Sequence, residues 1–201
     1  VDKVDPQSGT SLEIGSNGDT ISVPSGATLD IASGATLDTT GATVTGISGN
    51  PITEADTFGL TSTQSISSGT DTVLTGFNRD NEATFSKIGT GLSESSGVFS
   101  FPSTGKYLIT WQANAVTGGD NQASRMNLNV TTDNSSYSTA SQSAADSGTS
   151  TYAFNSGQHI FDVTNTTTHK FVLAESGGGG NLVGNTNYTR TGFTCIRLGD
   201  T

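Results

Sequence analysis

The 201-residue sequence predicts an all-β protein in two parts: a short N-terminal repetitive β segment, then an antiparallel sandwich. Three observations carry that prediction. Apolar and polar residues alternate in short runs, the period of a strand. The runs are punctuated by Gly, Asn and Ser, with Gly alone contributing 26 residues, so turns are frequent. No segment repeats apolar residues at helical spacing.

Residues 1–50 form the first part. Within 25-SGATLDIASGATLDTTGATVTG-46 the phrase Gly-Ala-Thr-apolar occurs three times, with Gly26, Gly34 and Gly41 spaced by eight and then seven residues. Between the glycine turns Ile21 alternates with Val23 and Leu29 with Ile31, and Leu37 and Val44 serve the later passes. Each pass offers only one or two large apolar side chains. Burying one returns roughly 1.5–3 kcal/mol, while ordering each backbone residue costs about 1–2 kcal/mol. One such turn cannot hold itself. Collagen would need Gly at every third position, and a coiled coil would need sustained heptads. Asp30 and Asp38 match calcium-binding nonapeptides only loosely. Three copies around an axis, a trimeric β-prism or solenoid-like stem, would place Ile21, Val23, Leu29, Ile31, Leu37 and Val44 in shared layers. A Gly/Thr-rich linker is the alternative.

Residues 51–201 form the second part. Turn chemistry around 48–51 marks the boundary, and no aromatic residue precedes Phe58. Strand candidates then recur about every ten residues, as in sandwiches: 57–62, 72–77, 83–88, 98–101, 107–116, 125–131, 137–141, 152–154, 159–163, 169–174 and 190–198. In 97-GVFSFPSTGKYLITWQANAV-116, Phe99, Phe101, Tyr107, Ile109 and Trp111 share a parity on either side of the 102–105 turn. They are expected to line one face and, with Phe193, to form the head-domain core or a trimer axis. Leu108 breaks the alternation, so part of that strand is expected to be covered on both faces.

Charge excludes some partners. The formal net charge is −10, and Lys3 is the only basic residue before Arg79. Phosphate neutralisation needs clustered Lys and Arg, so no nucleic acid is expected. No apolar stretch is long enough to cross a bilayer, so no membrane insertion is expected, and no leader is recognisable after Val1. The single Cys195 cannot form an intrachain disulfide, and its Phe-Thr-Cys-Ile setting reads as a packed strand.

Candidate chemistry is sparse. His159 and His169 lie ten residues apart on neighbouring strand candidates, without the Cys or carboxylate spacing of a zinc site. Glu82, Glu94, Asp120, Asp133, Asp146, Asp162 and Glu175 form no cluster suited to paired-carboxylate catalysis. No enzyme activity, metal or cofactor is expected. The run 176-SGGGGNLVGN-185 lacks the Gly-Lys-Ser/Thr of a phosphate loop and reads as a loop tip. Loop tips on rigid sandwiches carry recognition, which makes Gly177, Gly178, Gly179, Gly180 and Tyr137 the candidate receptor contacts.

The stretch GVFSFPSTGKYLITWQANA and the ending YTRTGFTCIRLGDT resemble complement/tumour-necrosis-factor-like jelly rolls. The chain as a whole is similar to structural proteins of tailed phages, particularly of marine and cyanophage type. The phrases SGTSLEIGSNGDTISVPSGATLD, ATFSKIGTGLSESSGVFSFPSTGKYLI, FDVTNTTTHKF and IRLGDT carry that likeness. The resemblance implies a homotrimeric fibre, spike or head decoration on a virion. Its N-terminal segment would meet other virion proteins, and its jelly-roll head would meet a host-surface glycan or receptor. Trimerisation of the head would raise the effective concentration of the thin segments for one another. A cell-surface or secreted adhesin with the same head is the alternative.

Overall fold

The computed structural model describes residues 12, 14–15, 17–38, 52–69, 71–79, 87–117, 122–147 and 152–201. The chain divides into two compact units, Val1–Ser48 and Gly49–Thr201, described in turn.

In the second unit the described strands run β1 (Ala55–Leu60), β2 (Gln64–Ile66), β3 (Thr72–Val73), β4 (Phe77–Arg79), β5 (Ser93–Ser95), β6 (Val98–Ser100), β7 (Gly105–Thr117), β8 (Gln122–Thr131), β9 (Ser138–Ser147), β10 (Tyr152–Val163), β11 (Lys170–Glu175), β12 (Gly180–Leu182) and β13 (Gly192–Gly199). Among the described residues they form two antiparallel sheets. The first has the order β2-β12-β7-β13-β1-β4, with β10 pairing the other edge of β7. The second has the order β5-β6-β11-β8-β9, with β3 also on β11. This is an all-β jelly-roll sandwich.

Aromatic rings fill the space between the sheets. Phe99 lies at the centre, with ring centroids 4.6 Å from Phe193, 5.0 Å from Phe171, 5.2 Å from Phe58 and 5.4 Å from Phe77. Edge-to-face and offset geometries of this kind add to what burial alone contributes. Phe101 extends the cluster to Tyr107, Phe161 and Phe171.

Phe99 and Tyr107 do not line one face, as equal parity suggested. The 102–105 turn carries the chain from one sheet to the other. Phe99 enters the core from β6 in the second sheet, whereas Tyr107, Ile109 and Trp111 enter from β7 in the first. The Tyr107 hydroxyl donates to Ser103 O and so closes the crossing.

Other boundaries moved for local reasons. The expected strands 152–154 and 159–163 are one strand, because Ser156-Gly157 is not a turn. Gly157 pairs with Trp111, and a Cβ there would sit 2.5 Å from the indole ring. The strand expected at 72–77 splits between the sheets as β3 and β4. The strand expected at 137–141 runs on to Ser147, because β9 pairs along β8 despite having no large apolar residue. Of the strand expected at 83–88, residues 83–86 lie outside the described residues, and Ile88 makes a single bridge to Ala55.

In the first unit, Ala27 N–H donates to Pro24 O and Ala35 N–H to Ala32 O, both at 3.0 Å. Gly26 and Gly34 each have φ +84. The eight-residue repeat is therefore the same Gly-dependent turn used twice. Among the described residues the stretches at 17–38 form no assigned strand, and Ile21, Val23, Leu29, Ile31 and Leu37 are all exposed. Val44 lies outside the described residues.

Candidate functional site

Strand pairing decides which side chains share the outer face of the first sheet. Opposite one another stand Tyr152 and Val116, Phe154 and Asn114, Ser156 and Gln112, Gln158 and Thr110, and Ile160 and Leu108. On the other side of β7, Ile196 stands opposite Leu108 and Thr194 opposite Thr110. The alternate residues of β7 and β10 turn into the core, so this set must face outward.

The strand β10 is 12 residues long and lies at the edge of its sheet. Its outward residues Tyr152, Phe154 and Ile160 are 62%, 60% and 56% exposed. Leu108, where the alternation broke, sits beside Ile160 and Ile196 on this face. The Arg190 guanidinium lies 5.3 Å from the Tyr152 ring and 5.6 Å from the Tyr188 ring. Between these apolar groups is a hollow of about 220 Å³ edged by Thr57, Thr110, Gln112, Ser156, Thr189 and Thr194. The Thr57 and Thr194 hydroxyls are 3.0 Å apart. A long edge strand with exposed aromatic residues is a surface that proteins ordinarily cover.

The residues expected for the head core or trimer axis are Phe99, Phe101, Tyr107, Ile109, Trp111 and Phe193. All are sealed inside the single chain. They have no surface left to present to a second copy, so they cannot form an axis. The residues with that capacity are the outward members of β10 and β7. The signal for them was Tyr152-x-Phe154 and Ile160, read correctly as strand but not as its exposed side.

The candidate receptor loops lie at opposite ends of the sandwich. In the β8–β11 ladder Lys170 pairs with Thr131 and Glu175 with Met126. Tyr137 follows the first end and the glycines follow the second, roughly 17 Å away along the strands. The glycine run is not a free tip. Gly177 O accepts from Gly69 N–H, Gly178 N–H donates to Ala123 O, and Gly180 begins β12. A Cβ at Gly177 would lie 2.2 Å from Ala123 O. Gly177 is there because backbone approaches backbone, and Gly179 and Gly180 because their φ is positive (89 and 130).

Beside them Glu175 is buried. Burial pushes its carboxyl up, partly opposed by hydrogen bonds from Arg125 N–H and Ser124. His159 and His169 flank the Phe161 ring instead of meeting each other. The Cys195 thiol is buried, and burial together with the Asp56 charge raises its pKa far above the ordinary value. That suppresses the thiolate a nucleophile needs.

Sequence reading missed Asp56, whose carboxylate is buried under β1. It accepts from Arg79 Nε at 3.1 and 3.0 Å and from Leu92 N–H at 2.9 Å. All its partners are donors of this chain, and they tie the 87–92 segment to the sheet. Among the described residues no group of three or more His, Cys, Asp or Glu is arranged to hold a metal ion. No helix among them is long and apolar enough to cross a membrane.

No family model and no curated protein matches the chain. Solved structures do. The Eiger TNF from S. frugiperda aligns at TM-score 0.54 and 14% identity, over 73% of this chain and 93% of that one. Murine APRIL at pH 5.0 aligns at TM-score 0.54 and 10% identity, over 72% and 98%. PRD1 vertex protein P5 aligns at TM-score 0.42 and 18% identity, over 73% and 98%. At these identities the likeness to Eiger and APRIL establishes a TNF-like jelly-roll fold.

Proposed function

We propose that this chain is a non-enzymatic structural protein of a tailed-phage virion, a homotrimeric fibre, spike or capsid decoration. The sequence resemblance carries the virion assignment, and one observation carries the trimer: the outer face of the first sheet exposes Tyr152, Phe154 and Ile160 on a long edge strand. Three copies packed by this face would cover that strand.

The N-terminal segment supports the same symmetry. Ile21, Val23, Leu29, Ile31 and Leu37 are exposed in one chain, and threefold winding would give them and Val44 partners from sister copies. In this reading the segment also joins other virion proteins, and the particle surface is where the head works. The phage assignment rests on the sequence resemblance, and the trimer rests on the exposed face as well.

Immunogold labelling of intact particles with an antibody raised against the folded head tests the location. Labelled particles are expected. Antigen found only on cell envelopes would contradict the virion reading and favour an adhesin.

A further inference from the structure

The second sheet carries a cleft on its own outer face. Phe99 and Phe171 turn inward from paired strands, so their neighbours Val98, Ser100 and Lys170 turn outward. The β5–β6 hairpin forms one wall, and the loop before β9 brings Asn134 and Tyr137 to the other. The hairpin is held by the two-residue turn Ser96-Gly97, both at positive φ (52 and 84), the form favoured in tight hairpins. A Cβ at Gly97 would lie 2.2 Å from Leu74 O, so the turn is locked against the body. The cleft is open to solvent and its volume is about 440 Å³, within the range of roughly 300–1,000 Å³ typical of small-molecule sites. The hollow on the first sheet falls below it.

The lining is polyfunctional and already oriented. Ser93, Ser95 and Ser100 supply hydroxyls, Asn134 an amide, and Tyr137, 37% exposed, an aromatic ring. Lys170 Nζ donates to Ser100 Oγ at 2.8 Å, and Glu94 Oε1 accepts from Gly97 N–H at 2.6 Å. Asn134 N–H donates to Thr168 O at 3.0 Å. The Asp133 carboxylate accepts from Ser136 N–H, Ser135 N–H and the Thr131 hydroxyl, which stiffens the loop. Those bonds hold its carboxyl far below the usual range, so it stays charged.

The charges select the ligand. The neighbouring Asp133 disfavours an anion, Lys170 disfavours a cation, and Val98 with Tyr137 is too little apolar surface for a greasy ligand. A ring to stack on and a circle of paired donors and acceptors fit a neutral, polyhydroxylated molecule. We infer that this cleft binds a neutral hexose-containing glycan, with the sugar stacked on Tyr137. The inference does not depend on the trimer, because one chain builds the whole cleft. If the first sheet is the packing face, each of the three clefts looks outward, and weak sites add by multivalency.

Saturation-transfer NMR on the full chain tests it, using lactose, maltose and cellobiose at millimolar concentration with sialyllactose and trilysine as the charged arms. At least one neutral disaccharide is expected to bind. Tyr137→Ala should weaken it about tenfold, and Ser95→Trp, which fills the cleft from an exposed position, should abolish it. Melting temperature and oligomeric mass should stay unchanged in both variants. No binding by any neutral sugar, a preference for sialyllactose or trilysine, or equal binding by both variants would overturn the inference.

Discussion

Two regions of this chain use the same alternation and reach opposite ends. In residues 17–38, Leu29, Ile31 and Leu37 stand exposed between glycine turns. In the head, Phe99 alone touches four other aromatic rings. Period-two patterning specifies an extended backbone in both. It makes a core only where the outgoing side chains are large enough to meet those of a second sheet. Where they are small and sparse, one chain supplies no second surface for them, and in the proposed trimer that surface comes from another copy.

The largest expected effect is in the head. Phe99→Ala should cost about 3–5 kcal/mol, read as a fall in denaturation midpoint at unchanged m-value. A cost below about 1 kcal/mol would mean that the ring cluster is not the core it is taken for. Next comes the outer face. Tyr152→Ser combined with Phe154→Ser should leave the strand content intact and shift the mass of the particle to a single chain. Exposed anchors of that kind are worth about 2 kcal/mol each in an interface.

The stem should respond more weakly and separately. Leu29→Ser with Leu37→Ser removes about 1.5–3 kcal/mol per buried side chain. The head's melting should not change, while limited proteolysis should begin to cut within residues 17–38. Equal protection of variant and parent would remove the shared-layer account of the repeat.

The smallest effect is electrostatic. Glu175 has its pKa raised above the ordinary 4.5 by burial, so the folded state holds this proton more tightly than the unfolded state does. Its contribution to stability is full below the unfolded pKa and is lost as pH rises through the folded one. Glu175→Gln should therefore match the parent in acid and melt higher at neutral pH. A variant that is less stable than the parent at neutral pH would reverse the assigned sign.

Much of the fold was legible because strands announce themselves locally. The runs around Phe58, Val98, Tyr107, Phe171 and Phe193 all became strands. Sheet membership was not legible, since Phe99 and Tyr107 share a parity yet face each other across the core. That relation depends on where the chain crosses between sheets. The glycines misled in two directions. Gly157, in the gap between two expected strands, makes room for Trp111, and Gly177, read as part of a loop tip, packs against Ala123 O. Close approach leaves no mark in sequence that distinguishes it from turning. Tyr137 was legible as an exposed aromatic in a polar loop, whereas its cleft partners Ser93, Ser95 and Lys170 are distant in sequence and joined only by strand pairing.

The central claim is association of three chains through the outer face of the first sheet. Light scattering at micromolar concentration on the intact chain measures it most directly. The account predicts the mass of three copies, falling to one in the Tyr152/Phe154 double variant. A parent protein that is one chain in solution, folded and protected from protease through residues 17–38, would contradict it.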